Sequence, residues 1–322
     1  MLSFLLRKGM YVAGMLVLIA IISFGAIHLA PNSFFASGDL NPNITPESLE
    51  QLKRVYGLDK PLWQQFFSWL LAVARLDFGI SFASGKAVKE EILQRIPITL
   101  TLNIISLVWV FFLSLALGIW AAMRQEKTAD RVIKQASLVS YAMPSFYLAL
   151  LMVMVFGVML GWFPIAGLHS VDAKEGLAYW LDFAWHLALP IGVIVIAGVG
   201  SLTLYVRSLT VEILKSDYLF FARARGVKGW QLLRFYILPN LSPPVVTLLG
   251  LSLPGLIGGS VILESIFSIN GMGLLFYQSA LSRDYPVIMG VLIIGALLTL
   301  LGNIIADAVL LKLNPHVKRA RS

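Results

Sequence analysis

The chain has 322 residues, of which 58% are hydrophobic and only 13% are charged, and its mean hydropathy is +0.82. A soluble domain carries about 25% charged residues, so this composition excludes an ordinary water-soluble protein and indicates a polytopic membrane protein. The net charge of +8 does not indicate nucleic-acid binding, because the basic residues cluster beside apolar segments, and the lack of cysteine excludes disulfides and thiolate metal sites.

The first apolar run, Tyr11 to Leu29, follows Arg7 and Lys8. It is longer than the apolar core of a signal peptide, which has roughly 7–15 residues. We therefore interpret it as an uncleaved first transmembrane helix, within a first region of residues 1–30.

Six uncharged windows are long enough to cross a bilayer, which takes about 20 apolar residues. They lie within Gly9–Gly38, Ile96–Met123, Gln135–Val171, Phe183–Val206, Phe235–Leu263 and Tyr285–Ala306. Several have a proline that we place near a helix start, such as Pro97, Pro190 and Pro244, where no N–H is needed. The predicted fold is an all-α membrane protein with six transmembrane helices, five of them in a core of residues 96–322.

Between the first two spans, residues 31–95 form a predicted ordered periplasmic segment. Within it, Pro61–Phe78 carries an apolar stripe at helical spacing and is rich in tryptophan and phenylalanine. The segment is too short to span. It indicates a helix packed on the outer end of the bundle, in a position that also suits the membrane interface.

Lysine and arginine are concentrated in alternate connecting segments, which orients the chain by the positive-inside rule. With the N-terminus in the cytoplasm, most of the 25 basic residues fall inside, whereas the short outer loops contain only Lys174 and Arg283. The prediction is a multi-pass protein of a bacterial inner membrane with both termini cytoplasmic.

The sequence contains no recognisable motif for nucleotide binding, metal binding or catalysis. It has no G-x-x-x-x-G-K-[ST] phosphate-binding loop, so any nucleotide must be bound by another chain. No window has a central charge, which weakens an ion-coupled mechanism. The histidines are scattered without an i, i+4 pair, and no catalytic cluster appears. We predict no catalytic residue, no metal site and no cofactor bound by this chain.

One cytoplasmic segment, Asp217–Pro239, is more structured than a loop needs to be. A helix is predicted from Asp217, with a left-handed stop at Gly226, and a second helix from Lys228 to Leu238 that ends at Pro239. Phe220, Phe221, Ala222 and Ala224 are expected to form an exposed apolar knob flanked by Arg223 and Arg225. Such a helix can seat in a groove of a partner protein; the alternative is a loop whose arginines contact lipid phosphates.

This segment resembles the cytoplasmic EAA loop of ABC importer permeases. Ala222, Gly226, Ile237, Leu238 and Pro239 stand at positions of that motif, and A-R-A-x-G is the form of its peptide and nickel branch. The chain departs from the general motif at Phe220 and Phe221, where Glu and Ala are usual, so an acidic contact is not carried over.

Further segments resemble the same branch in the same order. They are Tyr56–Phe66, Leu76–Phe82, Ile98–Leu107, Glu264–Gly290 and Asn303–Lys318. The chain is therefore similar, nearly from end to end, to the B-type permease subunit of the dipeptide/oligopeptide/nickel family of type I ABC importers.

The resemblance implies the partners and the cofactors. A second homologous permease subunit, two ABC ATPase subunits that carry ATP and Mg, and a periplasmic substrate-binding protein would assemble with this chain in the lipid bilayer. The coupling loop, residues 207–243, would contact the ATPase through Phe220, Phe221, Ala222, Arg223, Ala224, Arg225, Gly226, Leu238 and Pro239.

The function predicted is import of peptides, or of a related small solute such as nickel. Candidate residues of the substrate path or gate are Ser260, Glu264, Thr299 and Asn303; each is a polar group on or beside a span, and each could instead serve helix packing or bond a neighbouring helix. The alternatives are an exporter or channel-like subunit with the same fold, an ion-coupled carrier, and a membrane enzyme.

Overall fold

The computed structural model describes residues 2–29, 60–171, 175–252 and 261–313. Within these ranges the chain is helical apart from turns and one isolated β-bridge between Ile80 and Ala87. The helices are α1 (Leu2–Leu29), α2 (Leu62–Ala74), α3 (Val88–Met123), α4 (Thr128–Ala142), α5 (Ser145–Met152), α6 (Leu177–Leu214), α7 (Asp217–Ala224), α8 (Gly229–Leu232), α9 (Leu238–Ser252), α10 (Val261–Ile266), α11 (Met272–Ser282) and α12 (Tyr285–Leu313). Two π-helical turns, Val153–Met159 and Leu233–Ile237, follow α5 and α8.

In the described part of the chain, four helices are long and apolar enough to cross a membrane. They comprise α3, α6, the continuous stretch Gly229–Leu249 and the described start of α12. A fifth span results if α4 and the helix after it, bent by 102°, count as one. Together with α1, whose apolar part Gly9–Gly25 is shorter, these helices overlap the six predicted windows. Residues 30–38 of the first window and 253–260 of the fifth lie outside the described residues, and residues 160–171 of the third are not helical.

The helices differ from the predicted windows in where the prolines fall. Pro97, Pro190 and Pro244 lie inside α3, α6 and α9 and not at their starts, so that expectation was wrong. Interior proline is tolerated in membrane helices because neighbouring groups satisfy the freed carbonyls. Pro144, in contrast, separates α4 from α5: Met143 before it takes an extended conformation, as residues before proline prefer.

By its internal contacts the chain divides into two compact units. The first comprises Met1–Ile98 and Asn270–Leu300, and its core contains Ala20, Phe78, Val88, Ile92, Met272 and Val287. One face of α2 packs into this unit, where Phe66 meets Phe24 of α1 edge to face at 5.3 Å. The opposite face of α2 leaves Trp63 and Phe67 more than half exposed. Where it is described, the predicted periplasmic segment contains the packed helix α2, a loop and the start of α3.

A buried carboxylate fixes the loop that follows α2. Asp284, immediately before α12, accepts hydrogen bonds from the Ser81 hydroxyl at 2.5 Å, from Ala83 N–H at 3.1 Å and from Phe82 N–H at 3.2 Å. Buried polar groups require such partners. The loop is thus ordered by side-chain chemistry and not by an apolar core alone.

The second unit comprises Thr99–Ile269 and Leu301–Ser322. Within it, α4 runs antiparallel along α6, and the two helices are close at Gly200: a Cβ there would lie 2.7 Å from the Ser140 hydroxyl and 2.9 Å from Tyr141 N. Phe111, Val206, Leu241 and their neighbours form an apolar core among α3, α6 and α9. This packing surrounds Val206 in the C-terminal half of α6, which precedes the Asp217–Pro239 segment.

Candidate functional site

The Asp217–Pro239 segment folds as a hairpin of two helices at the end of α6. Ser216 separates α6 from α7, and its carbonyl accepts hydrogen bonds from the N–H groups of Leu219 and Phe220, both at 3.1 Å. Asp217 lies in the first turn of α7 and Arg223 in the last, so both charges interact favourably with the helix dipole and stabilise the helix. The predicted start of the helix at Asp217 is confirmed.

Gly226 ends α7 in the left-handed conformation that the sequence predicts, with φ of +86°. Its N–H bonds to the Arg223 carbonyl at 2.9 Å, and the N–H of Val227 bonds to the Ala222 carbonyl at 3.2 Å. These two bonds define a Schellman motif. The next residue, Val227, packs against the apolar core of the hairpin, so the turn between the two helices has one fixed geometry.

The hairpin has a buried inner face. Leu219 and Ile237 are fully buried, Ala222 is 3% exposed and Leu232 is 5% exposed. Leu219, Leu232 and Ile237 pack together with Ile213 and Leu214 at the end of α6. The expectation that Ala222 belongs to an exposed knob was wrong, because helical periodicity places it one turn from Leu219 on the side facing this cluster.

The outer face of the hairpin is aromatic and cationic. Phe220, Phe221, Trp230 and Phe235 are each 62–69% exposed. The same segment has four exposed cations, Arg223, Arg225, Lys228 and Arg234. Of these, Arg234 has its guanidinium 5.6 Å from the centre of the Phe235 ring. Large apolar side chains left together at a surface mark an interaction site, and arginine and aromatics are enriched in protein interfaces.

The second helix does not end at Pro239 as predicted. A π-helical turn over Leu233–Ile237 leads directly into α9, in which Leu238 and Pro239 are the first residues. The N–H of Leu238 bonds five residues back to Leu233. The wider turn lets the helix continue through a residue that has no N–H. Consequently the hairpin is joined on both sides, through α6 and α9, to membrane-crossing helices.

The candidate path residues that the structure describes lie on α10 and α12. Glu264 on α10 is fully buried and accepts a hydrogen bond from the Thr99 hydroxyl at 2.9 Å, and Asn103 donates to the Thr99 carbonyl at 2.8 Å. Thr299 and Asn303 are half-buried on α12. Ser260 lies outside the described residues.

Sequence reasoning missed an ion pair between α4 and α6. Arg207 reaches Asp130 with both ends of its guanidinium, Nε to Oδ1 at 2.5 Å and Nη2 to Oδ2 at 2.6 Å. The Asp130 side chain is only 1% exposed. The one available signal was an acidic residue in the first turn of a helix, which does not reveal a partner 77 positions away.

A second missed cluster surrounds Asp182 near the start of α6. This carboxylate accepts hydrogen bonds from the Ser170 N–H and hydroxyl at 2.9 and 2.7 Å, and it lies 3.2 Å from His169 Nδ1. The His169 ring stacks on Tyr179 at 3.9 Å. These hydrogen bonds hold the loop that contains His169 and Ser170 against α6. Within the described ranges, no group of three histidine, aspartate or glutamate side chains is arranged to hold a metal ion.

Known proteins are similar to this chain over nearly its whole length. Residues 114–319 match the family described as "Binding-protein-dependent transport system inner membrane component", and residues 1–103 match the N-terminal family of the same transport systems. The chain is 35% identical to the oligopeptide transport system permease protein AppB of Bacillus subtilis, over 99% of this chain and 100% of that protein.

Two further relatives are similar over the same length. They are the oligopeptide permease OppB of Haemophilus influenzae, 30% identical over 99% of this chain and 100% of that protein, and the glutathione permease GsiC of Salmonella typhi, 32% identical over 99% of each chain. A solved structure of the MetNI methionine ABC transporter superposes with a TM-score of 0.51 at 18% identity, over 68% of this chain and 95% of that one. This structural likeness supports the predicted type I importer permease fold.

Proposed function

Because this chain belongs to the family of binding-protein-dependent transport system inner membrane components, we propose that it is the permease subunit of an ATP-driven importer of peptides. It is a multi-pass inner-membrane protein with a transport role. In this proposal it forms part of the passage for the solute, and ATP with Mg is bound and hydrolysed on separate ATPase subunits. Both termini are proposed to lie in the cytoplasm.

The observation that carries the proposal is the hairpin at the end of α6. Its inner face is buried on α6, its turn is fixed by Gly226, and its outer face presents Phe220, Phe221 and several cations. When a partner protein binds a rigid element and displaces it, the helices attached to that element move with it as rigid bodies. We assign this outer face to an ATPase subunit, with Arg223, Ala224 and Arg225 at the contact and with Ala222, Gly226, Leu238 and Pro239 as supports.

The other partners follow from the proposed role. A second, homologous permease subunit completes the passage, a second ATPase docks on it, and a periplasmic binding protein delivers the cargo. No part of this assembly requires nucleic acid.

Peptide is the cargo that the relatives favour. The named relatives are described as oligopeptide and glutathione permeases, and glutathione is itself a small peptide. Nickel has no support among them. Along the path we keep Ser260, Glu264, Thr299 and Asn303 as candidates.

The test is reconstitution of the native assembly in lipid vesicles. The affinity-tagged chain should co-purify with ATPase subunits, and the vesicles should take up radiolabelled peptide only with internal ATP and external binding protein. A collapsed proton gradient should not reduce the initial rate. Uptake without the binding protein would favour a channel or exporter, and uptake that follows the proton gradient without ATP would favour an ion-coupled carrier.

A further inference from the structure

The buried pair of Asp130 and Arg207 joins two elements that bear on the coupling hairpin. Arg207 lies on α6, which ends at Leu214 and is followed by α7 after Lys215 and Ser216. Asp130 lies in the first turn of α4, the first half of the bent helix pair. The pair therefore lies on the connection between the hairpin and the bent helix pair, so a displacement of the hairpin would act on α4 through it.

The carboxylate of Asp130 also holds the turn that precedes α4. Its Oδ2 accepts a hydrogen bond from Glu126 N–H at 2.9 Å, and Glu126 itself has a φ of +63°. A non-glycine residue in this conformation is costly and persists where the surroundings enforce it. One carboxylate thus binds the α3–α4 turn, the start of α4 and the side of α6 together.

The geometry is that of a directional link and not of a surface ion pair. The guanidinium engages both carboxylate oxygens side by side, an arrangement that fixes orientation as well as distance. The two side chains are 1% and 16% exposed, so water and salt screen the pair weakly. Above it, Gly200 lets α4 approach the α6 backbone closely, and Ser140 donates a hydrogen bond to the Ile196 carbonyl.

We propose that Asp130 and Arg207 are positioning residues for energy coupling: their ion pair makes α4 move with α6 when the hairpin is displaced, so that a push on α7 reaches the bent α4–α5 span. This inference rests on the proposed function, because it requires an ATPase that displaces the hairpin. Without the pair, α6 moves alone, ATP is still hydrolysed, and the passage opens less often per ATP.

The experiment measures peptide taken up per ATP hydrolysed in the reconstituted assembly. Asp130→Asn keeps the shape of the side chain but removes its charge, and Arg207→Lys keeps a charge but loses the two-pronged contact. Both should lower the ratio at least about fivefold, the lower end of typical coupling between sites, while the ATPase stays bound. Arg131→Gln, an exposed neighbour on the same helix turn, should leave the ratio unchanged.

A chemical link tests the mechanical claim directly. The native chain has no cysteine, so the double variant Asp130→Cys, Arg207→Cys in cysteine-free partners can be joined by a short bifunctional thiol reagent. Cross-linking should restore the ratio that the unlinked variant has lost. An unchanged ratio in Asp130→Asn, a loss of assembled complex in both single variants, or no rescue would each overturn the inference. Absence of ATP-dependent uptake in the wild type would instead defeat the proposed function.

Discussion

At the scale of single residues, Gly226 is required for its backbone conformation and not for its small size. A Cβ at this position would meet no atom within 4 Å, yet φ is +86°. A left-handed conformation costs an ordinary L-residue about 1–2 kcal/mol, whereas asparagine adopts it more readily. We expect Gly226→Asn to be tolerated, Gly226→Ala to weaken the hairpin and Gly226→Val to weaken it more.

The measurement is ATPase affinity and uptake for the three variants, beside the amount of protein in the membrane. Gly295→Ala is the matched control, because that glycine also has open space but sits in α12 without a left-handed φ. Alanine there should be neutral or stabilising by up to about 1 kcal/mol. Equal behaviour of Asn, Ala and Val at position 226 would contradict the role of the turn.

Gly200 is required for the opposite reason. A Cβ would press on the Ser137 carbonyl and lie 2.9 Å from Tyr141 N, which are backbone atoms that cannot rotate away. Gly200→Ala must separate α4 from α6 and should destabilise the protein by roughly 1–3 kcal/mol, as overpacking does. On the same helix, a Cβ at Gly192 would meet only the flexible Met152 methyl at 3.5 Å, so Gly192→Ala is the control. Thermal unfolding in detergent compares the two, and equal midpoints would refute the close packing.

At the scale of the element, the hairpin divides its side chains between support and contact. Phe220→Ala and Phe221→Ala remove rings that are 69% and 62% exposed, so folding should change little. If these rings fill a groove in the ATPase, each loss should weaken its binding by about tenfold or more, as for aromatic hot spots. Phe112→Ala, which removes a ring 61% exposed on α3, should leave binding unchanged. The check is titration of ATPase onto permease in nanodiscs; retained affinity in both hairpin variants would exclude the aromatic contact.

The hairpin also shows how far sequence reasoning reaches. Its position, its start at Asp217 and its left-handed Gly226 were predicted correctly, because helix caps and glycine turns are written in local sequence. Ala222 was misplaced, since the extent of an exposed face depends on what packs beneath it. Pro239 was wrongly predicted to end the helix. The π-helical turn before it, through which the helix continues, has no recognisable local sequence pattern.

At the scale of the whole molecule, composition sufficed for the class of protein and the approximate spans, but not for what joins them. The contact between Asp130 and Arg207, the loop anchored on Asp284 and the bond between Thr99 and Glu264 link residues 77, 203 and 165 positions apart. Pairings at such separations follow from tertiary packing. A single sequence contains many acidic and basic residues, and its hydrophobic periodicity does not indicate which of them form pairs.

The orientation of the chain is a prediction for the whole molecule, and it rests on basic residues. Cytoplasmic loops are enriched in lysine and arginine, and the hairpin contains Arg223, Arg225, Lys228 and Arg234. Since the chain has no cysteine, single cysteines can be introduced as Lys228→Cys and Lys86→Cys, both at exposed positions. The first tests the predicted cytoplasmic side of the membrane and the second the predicted periplasmic side. In intact cells a membrane-impermeant maleimide should label Lys86→Cys and not Lys228→Cys, and opening the membrane should expose the second. Because the proposed ATPase contact requires the hairpin to face the cytoplasm, labelling of Lys228→Cys from outside would contradict both the orientation and the coupling role.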